Sequence, residues 1–249
     1  MKIKSNFEFN ILGIENYNKS LRLKNYFKYI TDNAHKKDGD IYEFGVFRGG
    51  SLLATALLLK KIKSKKKIYG FDSFGGFPSY DKKDHVDNFK RLFKQKKITK
   101  KHFIEVLKYK KFIKFLNKKN NPSNISSSGN FSATNINFIK KKIKLLELDN
   151  IELVKGNFKK SIKKFEHTNN NINVFASNID CDLYDGYIQS LNFIWKYSKS
   201  GTYIHLDEYY SLKFPGAKIA TDEFLKNKKN NVINYISKGD DFYRCYIKK

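Results

Sequence analysis

The stretch DIYEFGVFRGGS, residues 40–51, decides the fold. Asp40–Val46 reads as a short buried strand, Gly45–Gly50 as a glycine turn, and an apolar helix, Ser51–Ile62, starts directly after it. A strand that runs through glycines straight into a helix is the opening of a βα unit. The same alternation continues along the chain. Lys67–Asp72, Ile151–Lys155, Asn173–Asp180 and Gly201–Asp207 are predicted strands, and helices are predicted over Ala133–Leu148, Asp185–Tyr197 and Ala217–Asn227. Two closing strands are predicted at 232–236 and 242–247. This pattern predicts an α/β, doubly wound sheet, mostly parallel, with an antiparallel last strand. Leu21, Leu23, Tyr26, Phe27 and Ile30 recur at helical spacing and make 1–35 an N-terminal arm with one helix. Residues 36–249 then form one domain, interrupted by a basic helical lid insertion at about 82–135.

The chain of 249 residues carries a net charge of +26, which raises nucleic acid or an anionic surface as a partner. The distribution weakens that idea. Residues 82–119 hold 15 Lys/Arg against 3 Asp/Glu, and the rest of the excess is spread thinly. The aromatics Phe89, Phe93, Phe103, Phe112 and Phe115 lie at helical spacing, unlike the open sheet on which RNA bases stack. Cys181 and Cys245 form no Cys/His cluster, so zinc is not expected. The longest apolar run, Leu52–Leu59, is too short to span a bilayer, and the N-terminus lacks the apolar core of a signal peptide, so a cytoplasmic location is expected.

In doubly wound sheets ligands sit beyond the carboxyl ends of the strands, so polar residues there are the candidates. The first turn reads G-x-x-x-G-G, with Phe47 where a dinucleotide fingerprint has its second glycine. A pyrophosphate needs close backbone approach at that position, which disfavours NAD. S-adenosylmethionine has no phosphate. It asks for a helix start that takes a carboxylate, which Ser51 opens, and for a ribose diol acceptor, which Asp72 offers at the next strand tip. Glu43 is a candidate acceptor for the methionine ammonium. Taken alone, the turn reads equally well as a tight strand-to-helix connection.

The fourth predicted strand ends in Asp180-Cys181-Asp182 and the fifth in Asp207-Glu208. Adjacent strands would bring Asp180, Asp207 and Glu208 to one rim. Three carboxylates converging without a basic partner cannot all stay ionised in a dry pocket. A hard divalent cation such as Mg²⁺ resolves the conflict through oxygen ligands. Singly, each acid also reads as a helix cap, Asp180 or Asp185 before the helix that follows.

Four segments, YEFGVFRGGS (42–51), YGFDSFGGFP (69–78), IDCDLYDGY (179–187) and HLDEYYSLKFPGAKIATDEF (205–224), together resemble the macrocin-type sugar O-methyltransferases, the TylF/MycF family. The resemblance runs over roughly residues 40–225, and the insertion matches poorly. It implies a class I methyltransferase fold with its Rossmann-like sheet, S-adenosylmethionine as donor, and Mg²⁺ held by Asp180, Asp207 and Glu208, where Glu208 departs from the family's second aspartate. By the same resemblance Asp182 is the general-base candidate, and Glu43, Gly45, Gly49, Ser51, Asp72 and Ser73 are the cofactor positions. The implied partner is a small sugar-like acceptor, with a phosphorylated acceptor or RNA as alternatives, and the implied assembly is a homo-oligomer. Tyr184, Tyr209 and Tyr210 are candidate acceptor-pocket residues. His205 is expected in the core or behind a ligand, and His85, His102 and His167 are not expected in the site.

Overall fold

The structure is a computed structural model that describes residues 7–238 and 243–249. The first residues of the arm, 1–6, and position 242 of the predicted last strand lie outside the described residues. Seven strands form one sheet in the order β3-β2-β1-β4-β5-β7-β6. They are β1 Asp40–Phe44, β2 Ile68–Asp72, β3 Ile151–Lys155, β4 Val174–Ile179, β5 Ser198–Leu206, β6 Ile233–Tyr235 and β7 Arg244–Lys248. β1 to β5 pair in parallel, and β7 runs antiparallel to both β5 and β6. The predicted doubly wound sheet with an antiparallel last strand is therefore observed. The order reverses at β1 and β4, and the crevice at that switch point opens at their carboxyl ends.

The helices are α1 Phe7–Asn10, α2 Lys24–Asn33, α3 Gly50–Lys61, α4 Asn88–Lys94, α5 Lys100–Phe115, α6 Ile136–Leu145, α7 Phe158–Thr168, α8 Tyr184–Tyr197 and α9 Pro215–Leu225. α3 is apolar nearly all round because it is buried, with Leu52, Leu53, Ala54, Ala56 and Leu59 at 0% exposure. It packs with α2 on one sheet face, where Leu23, Tyr26 and Ile30 are also buried. α7, α8 and α9 cover the other face through Phe165, Leu191, Ile194 and Ala217. α7 is absent from the sequence reading. Its signal is Asn157, whose side chain accepts from Lys159 N at 3.0 Å and caps the helix, followed by Ser161, Ile162 and Phe165 on the buried face.

The insertion builds a third cluster of Val86, Phe89, Leu92, Val106, Ile113 and Ile125, which packs on Leu183, Phe214 and Ile219. Asp84 fastens it. Its carboxylate accepts from Tyr184 N at 2.7 Å and from Asp81 N at 2.7 Å. The first N–H of α8 is thus met from the insertion, and not by Asp180 or Asp185, which singly also read as caps. Phe89 is buried and Phe93 stacks on Phe103 with centroids 4.6 Å apart, so these aromatics pack as expected. Phe112 and Phe115 do not: they remain exposed.

Candidate functional site

A cavity of about 780 Å³ lies at the carboxyl ends of β1, β2 and β4. Its walls include Gly45–Arg48, Gly50 and Ser51 of the glycine turn, Asp72 and Ser73, Gly156–Phe158 after β3, and Asp180–Leu183 after β4. The turn can pass so near β4 only because Gly45 lacks a side chain: it has φ +95°, and a Cβ there would sit 1.8 Å from the Asp180 carbonyl oxygen. Asp72 organises the same turn. Its Oδ2 accepts from Val46 N at 2.7 Å and Phe47 N at 2.9 Å, and its Oδ1 accepts from Phe74 N at 2.7 Å. A carboxylate offers about four acceptor positions, so little capacity remains for a ribose. Ser73 faces the cavity and donates to Gly76 O at 2.6 Å. Gly49 adopts φ +83° as the N-cap of α3, one residue behind the cavity wall.

Glu43 does not line the cavity. It is fully buried behind the turn, where Oε1 accepts from Ser51 Oγ at 2.8 Å and Oε2 from Asn178 Nδ2 at 3.3 Å. The expected contact with a ligand ammonium is not what this placement provides; Glu43 instead ties the start of α3 to β1 and β4. Burial pushes its carboxyl up to about 8.

The acids at the tips of β4 and β5 do converge. Asp180, Asp207 and Glu208 each place a carboxylate oxygen within 4.8 Å of the others. The premise that they lack a basic partner is corrected by Arg22, just ahead of α2. Its Nη1 donates to Asp180 Oδ2 at 2.8 Å and to Asp207 Oδ1 at 2.7 Å, and its Nη2 donates to Glu15 Oε2 at 2.7 Å. Arg22 lies more than 150 residues from either aspartate in sequence, so no local motif could disclose it. Burial works against the guanidinium's charge, but Asp207, Asp180 and Glu15 more than offset it and hold the group protonated. Burial likewise opposes ionisation of Asp207, yet Arg22 and His205 keep its carboxyl far below the usual range. Glu208 is raised by burial and by Asp182. Tyr187, unremarked in the sequence, holds Glu208: its hydroxyl donates to Oε2 at 3.1 Å and accepts from Glu208 N at 2.9 Å.

Asp182 lines the cavity with its backbone in the left-handed region, φ +63°. Its carboxyl makes no hydrogen bond among the described residues, and burial together with Asp180 pushes it well above the ordinary range. His205 is buried behind Asp207, with Nε2 3.5 Å from Oδ1 and no hydrogen-bond geometry. Tyr184, Tyr209 and Tyr210 are outside the cavity wall. Their hydroxyls go to Glu223, Asp222 and Glu105. His102 is buried in the insertion against Ser211 O at 2.9 Å, and His85 pairs with Asp87.

The residues fit the two groups that the motifs imply. The cavity joins a glycine turn and helix start to the acid tip of β4, beside which Asp207 and Glu208 converge, and an all-carboxylate donor set suits a hard cation. Comparison with known proteins bears on this arrangement. Residues 19–119 match the family described as Macrocin-O-methyltransferase (TylF), a span that holds the glycine turn and Asp72 but stops short of the acids at 180 and 207. Among solved structures, the O-methyltransferase NovP superposes with a TM-score of 0.62 at 18% identity, covering 92% of this chain and 79% of NovP. Calicheamicin methyltransferase CalS11 gives 0.61 at 19% identity, covering 91% and 76%. An O-methyltransferase from Bacillus cereus gives 0.52 at 12% identity, covering 100% and 93%. At these identities the likeness concerns the fold. No curated protein matches the sequence. Among the described residues no helix is long and apolar enough to cross a membrane.

Proposed function

We propose that this chain, whose residues 19–119 match the macrocin O-methyltransferase (TylF) family, is an S-adenosylmethionine-dependent O-methyltransferase that methylates a hydroxyl of a sugar-like acceptor with the aid of a divalent cation. The observation that carries this reading is the Asp182 carboxyl, free of hydrogen bonds and facing the cavity that Asp180 and the glycine turn also line.

The donor supplies an already activated methyl, so the protein's task is to align the hydroxyl and accept its proton. Asp180, Asp207 and Glu208 would hold the cation, which when bound lowers the pKa of a coordinated hydroxyl. Asp182 then receives the hydroxyl proton as general base, and its left-handed backbone aims the carboxyl into the cavity. Gly45, Ser51 and Ser73, with Gly49 behind them, would shape the donor's end of the cavity, and Asp72 would act by holding the turn. CalS11 is described as a TDP-rhamnose 3'-O-methyltransferase. A nucleotide-linked sugar suits this chain as well, because Arg48 and Lys159 line the cavity and would meet a diphosphate.

The test is Asp182→Asn, assayed with a panel of nucleotide-linked sugars and, separately, for calorimetric binding of S-adenosylhomocysteine. Turnover should fall by 10² or more while binding stays within a factor of about two. Full turnover would remove Asp182 as base. Activity on RNA and none on sugars would replace the acceptor class.

A further inference from the structure

The place of Arg22 in the acid rim is not explained by the reaction. Arg22 lines the cavity, whereas Asp207 and Glu208 do not, and its guanidinium lies directly on Asp207. A single nitrogen, Nη1, bridges one oxygen of Asp180 and one of Asp207 at 2.8 and 2.7 Å. That is the task a divalent cation would perform on the same two side chains. Two cations sharing one pair of carboxylates repel each other strongly in a partly buried site.

The backbone here is not a loose strap. Leu23 is fully buried, its N–H donates to Ser20 Oγ at 3.0 Å, and Arg22 O accepts from Tyr235 OH at 3.2 Å. The side chain is 27% exposed. Glu15 gives it somewhere to go, because it already binds Nη2 at 2.7 Å without sharing the aspartates.

We propose that Arg22 is a resident counter-cation of the acid rim, which competes with a divalent ion for Asp180 and Asp207 and so sets how tightly the site takes that ion. The inference rests on the cation-assisted reading given under Proposed function. Without the ion, Arg22 neutralises the paired aspartates and keeps the tips of β4 and β5 together. When the ion enters, the guanidinium withdraws to Glu15.

The test uses the full chain without donor or acceptor and Mn²⁺ alone as probe, with free Mn²⁺ read by electron paramagnetic resonance. Arg22→Gln should bind Mn²⁺ at least tenfold more tightly than the wild type, and Arg22→Lys, which keeps the charge, should stay near the wild type. In EDTA Arg22→Gln should melt below the wild type, and Mg²⁺ should close the gap. A merely structural Arg22 would lower the melting temperature and leave Mn²⁺ affinity unchanged, which would overturn the proposal, as would weaker binding in the variant. Equal binding by both proteins sinks Arg22 as competitor while leaving the cation reading standing. Binding by neither, with methyl transfer proceeding in EDTA, sinks both.

Should Arg22→Gln fail to fold, the wild type still decides. Modification of Arg22 by phenylglyoxal, followed by peptide mass spectrometry with exposed Arg91 as reference, should quicken several-fold on adding Mn²⁺. An unchanged rate would overturn the proposal.

Discussion

Replacing Glu43 by Gln should make the protein markedly more stable at pH 8 and above, and should do little near pH 4. Glu43 is fully buried between β1 and α3, and its carboxyl rises from the ordinary 4.5 to about 8, chiefly by desolvation. A group raised in the folded state binds its proton more tightly there than in the unfolded chain. Its contribution is therefore complete below pH 4.5 and is lost progressively as pH climbs toward 8. The full span amounts to roughly 5 kcal/mol, equivalent to a melting-temperature difference of about 10 °C or more for a chain of this size. Gln is neutral at every pH and nearly isosteric. Its amide oxygen can accept from Ser51 Oγ as Oε1 does now. Its NH₂ can donate to Asn178 Oδ1, which lacks a partner, once the Asn178 amide is turned over. The assay is urea denaturation of both proteins from pH 4 to 9. The difference between them should open between pH 4.5 and 8 and then level off. A difference that does not vary with pH would show that Glu43 titrates as an ordinary carboxyl and that its burial carries no charge penalty.

Three further substitutions probe the frame of the site. Gly45→Ala places a methyl 1.8 Å from the Asp180 carbonyl at φ +95°; overpacking and left-handed strain should together remove about 2–5 kcal/mol, and a wild-type urea midpoint would contradict the close approach. Asp84→Ala should cost about 2–4 kcal/mol through two lost buried hydrogen bonds, and should raise proteolytic cleavage within 82–135; unaltered cleavage would mean the insertion is held elsewhere. Tyr187→Phe leaves the Glu208 N–H unpaired and should cost about 1–3 kcal/mol, read as a fall in melting temperature that Phe at an exposed tyrosine such as Tyr80 would not produce.

The sheet was legible because buried parallel strands announce themselves as short apolar runs bounded by turns. Ile151–Lys155 matches its predicted limits, and the remaining described strands shift at their ends. β5 begins at Ser198, earlier than the Ser-Gly turn implied, because residues 198–200 extend the strand although Gly201 has φ +84°. Helix α7 went unread since its lysines dilute the pattern that Ile162 and Phe165 carry. The convergence of Asp180, Asp207 and Glu208 followed from strand adjacency alone. What adjacency cannot give is direction: Glu43 sits on the inner face of β1, where its side chain turns under α3 and away from the cavity. Arg22 and Asp84 were illegible for a different reason. Their contacts with Asp180, Asp207 and Tyr184 span at least 100 positions, so those partners meet only once the chain is folded.

Those two residues also change what the acid rim requires. The turn at 180–184 receives no side-chain hydrogen bond from its own helix cap, since the Leu183 side chain is purely apolar. It is held on one side by Arg22 from the N-terminal segment and on the other by Asp84 from the insertion. Gly216 at the start of α9 completes the second hold: a Cβ there would lie 1.8 Å from Asp84 Oδ1, so only glycine lets the carboxylate reach Tyr184 N. The apolar positions of the insertion pack on Leu183, Phe214 and Ile219, but the hydrogen bond that reaches the turn itself comes from Asp84. A chimera that keeps Asp81–Asp84 and Gly216 but exchanges residues 100–119 should retain binding of S-adenosylhomocysteine, by calorimetry, within a few-fold. One that keeps 100–119 and loses Asp84 should not. The opposite ranking would mean that the long basic helix, and not the short acidic latch, positions Asp182.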